Sequence, residues 1–149
     1  AAVSALLFAF LNRGEHLIAG DVCYAATQEL FGKHLRRFGV EVSLVNPTDT
    51  DSVARAIRKN TKLIYIETPA NPILRLSDIS AIAVIAKKAG IPLSVDSTWA
   101  GPCIQKPLDL GARAGPGLTG FPTEGSGFSR RIREDHFGIQ DRRLGDVRS

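Results

Sequence analysis

Short apolar runs alternate along the chain with longer stretches in which apolar residues recur every three or four positions. The runs His16–Gly20 and Lys62–Ile66 are typical of buried strands, whereas Tyr24–Phe38 carries apolar residues on one helical face and basic residues on the other. This alternation predicts an α/β fold with a parallel sheet and right-handed crossovers. The predicted strands are His16–Gly20, Val40–Val45, Lys62–Ile66 and Leu93–Val95, and the predicted helices are 1–11, Tyr24–Phe38, Val53–Arg58 and a segment capped by Ser77 or Asp78.

Two of the predicted strands end on an acidic residue. The run that starts at Lys62 delivers Glu67 and then a rigid loop with Asn71 between two prolines, and the later run ends abruptly on Asp96. Open α/β sheets bind ligands at the carboxyl ends of their strands. We therefore expect both strand ends to face the same crevice.

These two segments carry a family resemblance. Glu67-Thr-Pro-Ala-Asn-Pro72 resembles E-T-P-x-N-P, and Val95-Asp-Ser-Thr-Trp-Ala-Gly-Pro102 resembles V-D-N-T-F-A-T-P, both typical of the Cys/Met-metabolism family of pyridoxal-phosphate enzymes. That family includes cystathionine synthases and lyases, methionine γ-lyase and homoserine sulfhydrylases. The resemblance covers residues 1–112 and implies a partial three-layer parallel sheet, the first part of the large domain of a fold-type I pyridoxal-phosphate-dependent transferase.

The resemblance also implies a cofactor and the residues that bind it. Pyridoxal phosphate is an electron sink, and a carboxylate paired with its pyridine nitrogen keeps that nitrogen protonated. Asp96 is the candidate carboxylate. By resemblance, Asn71 would hydrogen-bond the ring hydroxyl, Tyr24 would stack on one face of the ring, and Thr98 would pack near the other. Tyr24 lies in Asp21-Val-Cys-Tyr-Ala-Ala-Thr27, where the family has Y-G-G-T.

Each of these residues also has a purely structural interpretation. Asp96 could cap the turn that follows it, Asn71 could hold an Asx-turn between prolines, and Tyr24 could start a helix. Ser97 and Trp99 replace the usual asparagine and phenylalanine of the family motif. The order and spacing of the matching segments favour the family interpretation over the three separate ones.

The lysine that would bind the cofactor covalently is not found where the resemblance places it. The family supplies it from S-x-T-K shortly after an L-G-A segment, seen here at 110–112, but no lysine follows Lys106, and Leu118-Thr-Gly-Phe121 has Gly120 in the lysine's place. Glycine has no amine. The sequence therefore assigns no catalytic residue and predicts little or no activity for this chain. Lys106 is interpreted as a surface residue, and the S-G-M phosphate-binding segment of the family is expected to lie before Ala1.

From Arg113 the hydrophobic pattern stops. Residues 113–149 have neither strand nor helix periodicity, which predicts an irregular or disordered tail unlike the family. The favoured hypothesis is a gene fragment or degraded copy whose reading frame slipped near Ala112, and the alternative is a short protein with a replaced tail. A basic arm for nucleic acid is disfavoured, because five acidic residues dilute the seven arginines of this segment.

Composition narrows the class further. The chain has 149 residues, enough for one domain, a net charge of +4, and no apolar run near the ~20 residues that a membrane span needs. Neither the two cysteines nor the three histidines have metal-ligand spacing, so no metal site is predicted. The expectation is a cytoplasmic protein without nucleic-acid or membrane partners.

The functional prediction is pyridoxal-phosphate-dependent sulfur amino-acid metabolism: elimination or replacement of a β or γ substituent on cysteine, methionine or activated homoserine. Lyase and synthase activities stay open, because the substrate-reading residues lie outside the matched span. A second hypothesis is a non-catalytic remnant that pairs with an intact homologue. A nucleotide-binding α/β module is third, and the sequence lacks the glycine-rich loops that such a module needs.

Overall fold

Four parallel strands form one sheet in the computed structural model, which describes residues 2–115. Their order across the sheet is β2-β1-β3-β4, so the two strands at the centre are β1 and β3. The strands are β1 (His16–Gly20), β2 (Glu41–Val45), β3 (Thr61–Glu67) and β4 (Leu93–Asp96). All three neighbouring pairs run parallel, which confirms the prediction of a parallel α/β sheet.

Helices lie before, between and after these strands. They are α1 (Ala2–Phe10), α2 (Ala25–Glu29), α3 (Thr50–Ala56), α4 (Ile79–Ala89) and α5 (Gly101–Ile104). A π-helical segment, Leu30–Leu35, continues α2, where the sequence predicted a single α-helix from Tyr24 to Phe38. Gly32 in this segment is exposed, and a Cβ added there would meet no atom within 4 Å, while the neighbouring Phe31 and Leu35 are fully buried.

Both faces of the sheet are covered. On one face Leu17 of β1 and Leu63 of β3 pack with Leu7 of α1 and Phe31 of the π-helical segment. Ile18, Ile64 and Ile66 point to the opposite face, where they pack with Val53 of α3 and Ile82 of α4. Helix, sheet and helix therefore form three layers, as predicted. The two-sided burial explains why β1, β3 and β4 are apolar along most of their length, whereas the edge strand β2 alternates and has no fully buried residue.

Helix α4 shows how local chemistry sets its ends. Asp78 is its N-cap, and the Asp78 Oδ1 accepts a hydrogen bond of 2.9 Å from the backbone N–H of Ala81. Gly90 ends the helix at φ 70°, in the left-handed conformation that glycine adopts without strain. Of the two predicted caps, Ser77 and Asp78, the structure selects the second.

The chain follows the sheet slightly beyond Ala112. The Arg113 N–H donates to the Leu93 carbonyl at 2.7 Å, and the Val95 N–H donates to the Ala114 carbonyl at 2.9 Å, so residues 113 and 114 lie along the outer edge of β4. Residues 116–149, which include Leu118–Phe121 and most of the tail predicted for 113–149, lie outside the described residues. None of the helices within 2–115 has the length and apolar character required to cross a membrane.

A buried histidine joins three strands at the amino end of the sheet. His16 of β1 has no exposed surface, and its Nδ1 lies 2.8 Å from Thr61 Oγ1 of β3 while its Nε2 lies 2.9 Å from Ser43 Oγ of β2. Burial lowers the pKa of His16, and the nearby charge of Arg58 lowers it further, against the opposing charge of Glu41. The folded protein therefore holds His16 in its neutral form.

We expect the free energy of unfolding to fall as the pH drops below about 6.5, because only the unfolded chain then binds a proton at residue 16. The slope from this residue is at most about 1.4 kcal/mol per pH unit. Urea unfolding at several pH values should show a smaller slope for His16→Gln than for the wild type. His34→Gln is the control, and equal slopes for wild type and His16→Gln would contradict the prediction.

Candidate functional site

The carboxyl ends of β1 and β3 form the point where the chain diverges to opposite faces of the sheet. Helix α2 and its π-helical continuation, which follow β1, pack on the face that carries α1, and α4, which follows β3, packs on the other. In open α/β sheets such a divergence leaves a crevice in which ligands bind. Four polar residues lie around it. Glu67 and Asp96 end β3 and β4, and Tyr24 and Asn71 lie in the segments that follow β1 and β3.

Asp96 ends β4 with only 7% of its surface exposed. Its Oδ1 accepts hydrogen bonds from the backbone N–H of Thr98 at 3.0 Å and from the Thr98 hydroxyl at 2.5 Å. Its Oδ2 accepts one from the hydroxyl of Tyr65 at 3.0 Å. Donors of this kind stabilise the ionised carboxylate, and since each oxygen has two lone pairs, Oδ2 can accept one further hydrogen bond.

Tyr65 supports Asp96 from inside the sheet. It lies on β3, has no exposed surface, and meets Phe31 edge to face with ring centroids 5.3 Å apart. Burial raises the pKa of Tyr65, and the charge of Asp96 and the hydrogen bond to it raise it further. Tyr65 therefore remains a neutral donor. Sequence reasoning missed this contact, because it assigned Tyr65 only to the apolar interior of a strand.

Glu67 ends β3 beside Asp96, its register partner on β4, and is only 4% exposed. Its Oε2 accepts a hydrogen bond of 2.9 Å from the backbone N–H of Tyr24, and its Oε1 accepts one of 2.7 Å from the backbone N–H of Asn71. Burial raises the pKa of Glu67, the two backbone hydrogen bonds oppose this, and the charge of Asp96 adds to the rise. One carboxylate thus joins the segments that follow β1 and β3.

Hydrogen bonds connect the other three predicted site residues, Tyr24, Asn71 and Thr98, to these two carboxylates. Tyr24 is the N-cap residue of α2, makes no side-chain cap hydrogen bond, and has 56% of its surface exposed. The side-chain amide of Asn71 has no hydrogen-bond partner in the part of the chain that the structure describes, so the Asx-turn alternative is not observed. Thr98 binds Asp96 directly, which is the turn-capping geometry considered for Asp96.

Two further residues near the crevice were not predicted. Arg75, from the connection between β3 and α4, forms an ion pair with Asp21 just after β1. Cys23 is 4% exposed, and burial together with the charges of Glu67 and Asp96 raises its pKa to about 12. The Cys23 thiol therefore stays protonated and is a poor nucleophile. Within residues 2–115, no group of three or more His, Cys, Asp or Glu side chains is placed to hold a metal ion.

The donors and acceptors of this crevice fit the ring of pyridoxal phosphate. Asp96 would provide a carboxylate whose Oδ2 accepts one hydrogen bond and has a second lone pair for a protonated ring nitrogen, Asn71 a side-chain amide for a hydroxyl, and Tyr24 an accessible aromatic ring for stacking. Covalent attachment of the cofactor requires an amine in addition to these groups. All six lysines of the chain fall within the described residues, and all six are exposed.

Comparisons with known proteins identify the family to which the chain is similar. The family model for Cys/Met metabolism PLP-dependent enzymes matches residues 1–114. The chain is 46% identical over 112 residues to cystathionine gamma-lyase of Bacillus subtilis, covering 75% of this chain and 29% of that protein. It is 41% identical over 113 residues to L-methionine gamma-lyase of Treponema denticola, covering 74% of this chain and 28% of that protein.

Solved structures show the same fold. The crystal structure of metB from Corynebacterium glutamicum matches with a TM-score of 0.74 and 38% identity, over 76% of this chain and 30% of that one. Cystathionine gamma-lyase from Lactobacillus plantarum complexed with L-serine matches with a TM-score of 0.72 and 39% identity, over 75% and 29%. These neighbours confirm the predicted fold-type I architecture, and the chain spans less than a third of the length of each of the four proteins named above. By sequence and by structure, the chain belongs to the Cys/Met-metabolism family of pyridoxal-phosphate-dependent enzymes.

Proposed function

We propose that this chain forms the cofactor-ring site of a pyridoxal-phosphate enzyme of sulfur amino-acid metabolism. The reaction class is elimination or replacement at the β or γ carbon of a sulfur amino acid or an activated homoserine. The observation that carries the proposal is the Asp96 carboxylate, which is buried at the end of β4 and held by three donors with one acceptor position open. Family membership supplies the substrate class.

Different residues would bind different parts of the cofactor ring. Pyridoxal phosphate, when bound, supplies an electron sink for negative charge at the substrate Cα. Asp96 would accept a hydrogen bond from the protonated ring nitrogen, and the hydrogen bonds from Tyr65 and Thr98 hold its carboxylate in place. Asn71 would hydrogen-bond the ring hydroxyl, and the exposed ring of Tyr24 would stack on the cofactor.

We further propose that the chain of 149 residues has little or no activity of its own. Its six lysines are all exposed, and Gly120 occupies the position where the family resemblance expects the lysine. A buried or electrostatically tuned amine is what carbonyl-binding enzymes use to form a covalent bond with their cofactor. In this chain, recognition of the ring is thus separate from covalent attachment.

A second candidate function is a non-catalytic one, pairing with an intact homologue. The observation that favours it is a set of exposed apolar side chains around α5 and the loop before α4: Ile104 is 83% exposed, Leu76 is 66% exposed and Trp99 is 57% exposed. Exposed apolar surface of this kind is typical of interaction sites. Co-purification with a longer family member would support pairing, and aggregation of the chain with itself in the presence of that protein would count against it.

Covalent labelling tests the proposal that the chain has little or no activity of its own. We expect incubation with pyridoxal phosphate followed by borohydride reduction to label several exposed lysines weakly, with no residue modified stoichiometrically. Mass spectrometry of the digested protein measures this, and a lysine-free peptide standard serves as the blank. Stoichiometric labelling of one lysine, such as Lys106, together with a matching visible absorbance band, would overturn the proposal that the chain is inactive.

Asp96→Asn tests the ring site itself. Pyridoxamine 5′-phosphate is the probe, because its binding requires no lysine. We expect Asp96→Asn to bind it about ten- to a hundredfold more weakly than the wild type, the loss typical of a hydrogen bond to a charged group. Calorimetry measures the affinity, and the near-ultraviolet band of the ring reports whether its nitrogen is protonated.

Asp109→Asn is the matched control for that experiment, since Asp109 is exposed and distant in sequence from the strand ends. It should bind the probe as the wild type does. Urea unfolding of each variant verifies that the sheet is intact. Equal affinity and an equal absorption band in wild type and Asp96→Asn would contradict the assignment of Asp96 to the ring nitrogen.

A further inference from the structure

One carboxylate fastens two separate segments of the chain at the crevice. The two oxygens of Glu67 have different partners: Oε2 accepts from the N–H of Tyr24, 43 residues away in sequence, and Oε1 accepts from the N–H of Asn71, four residues away. Glu67 itself is 4% exposed and belongs to the central strand β3, so it is held by the rigid part of the sheet. Its position therefore determines where both segments lie.

The surroundings of Glu67 disfavour its charged form, apart from the two backbone donors. The groups that face it are mostly acidic or neutral: Asp96 from β4, Tyr65 from β3, and Cys23 from the segment after β1. Arg75, in the connection after β3, is paired with Asp21. Because the pKa of Glu67 is raised, the folded protein binds its proton more tightly than the unfolded chain does, and its charge at neutral pH lowers the free energy of unfolding.

We propose that Glu67 is a positioning residue that fixes Tyr24 and Asn71 relative to Asp96, by holding both backbone amides with the two oxygens of one carboxylate. The two segments are then ordered together rather than independently. The link to catalysis rests on the proposed function, in which Tyr24 and Asn71 contact the cofactor ring. The fastening is a property of the chain itself and can be measured without any ligand.

Glutamine at this position separates the two hydrogen bonds with almost no change in shape. A carboxylate offers acceptors on both oxygens, whereas a glutamine side chain offers one acceptor oxygen and one NH₂ donor. In Glu67→Gln, one backbone N–H keeps an acceptor and the other faces a donor. Glu67→Ala removes both acceptors. The two variants therefore predict different patterns: release of one segment in the first, and of both in the second.

Amide hydrogen exchange, followed residue by residue by NMR, measures this directly. In Glu67→Gln we expect the amide of either Tyr24 or Asn71 to exchange about tenfold or more faster than in the wild type, the effect of leaving one buried donor without a partner. In Glu67→Ala both should exchange faster. The amides of Ile64 and Val95 in the strands should keep their wild-type rates, because their ladder bonds do not involve Glu67.

Glu29→Gln is the matched control. Glu29 is exposed and pairs only with Lys33 across one helical turn, so the same chemical change there should leave all four amides unaffected. Wild-type exchange at Tyr24 and Asn71 in both Glu67 variants would overturn the proposal. Acceleration by the same factor at Ile64 and Val95 would also overturn it, since that pattern indicates a loss of global stability instead of a local release.

Binding of pyridoxamine 5′-phosphate tests whether Glu67 also affects the proposed ring site. If the wild type binds the probe, Glu67→Gln should weaken binding about tenfold while Glu29→Gln does not, and an unchanged affinity would refute the role of Glu67 in placing the ring contacts. If the wild type does not bind the probe, the proposed ring site fails. The exchange rates of Tyr24 and Asn71 then still decide whether Glu67 fastens the two segments.

Discussion

Two buried carboxylates at the ends of neighbouring parallel strands are the constraint to which the rest of the site conforms. Glu67 and Asp96 are register partners on β3 and β4, and each is less than a tenth exposed. A carboxylate removed from water needs donors at short distance, and two carboxylates side by side also repel each other. The loops after β1, β3 and β4 are each arranged so that an N–H or a hydroxyl reaches one of these oxygens.

Neutral donors, rather than cations, satisfy both groups. Asp96 is held by a tyrosine, a threonine hydroxyl and a backbone N–H, and Glu67 by two backbone N–H groups, while the guanidinium of Arg75 pairs with Asp21. An Asp96 neutralised by arginine would have little affinity for another cation. Held by neutral dipoles, it keeps its charge available, which is the property that a partner for a protonated ring nitrogen requires.

Much of the fold could be predicted from the sequence, because its signals are local. Apolar runs marked all four strands to within a residue at each end, and Asp78 and Gly90 marked the ends of α4. The strand order, the π-helical segment and the hydrogen bonds of His16 to two neighbouring strands could not be predicted, since each depends on which elements become neighbours. The same holds for the site. Asp96 was found from its strand end, but the Tyr65 hydroxyl contact and the bridge from Glu67 to Tyr24 join residues 31 and 43 positions apart.

The sequence motif and the geometry explain different parts of the same chemistry. A strand that ends on an acid and a rigid proline loop specify where polar groups lie, and these features are complete between Gly20 and Thr98. The lysines are a separate feature, since all six lie within the described residues and are exposed. The polar groups of the crevice depend on carboxylates held at strand ends, whereas covalent attachment of a cofactor depends on a single amine, so the two requirements rest on different parts of the sequence. Glu67 illustrates the first requirement: burial raises its pKa, and its two oxygens nevertheless accept from the backbone N–H groups of Tyr24 and Asn71, so one strand-end side chain connects the segments after β1 and β3.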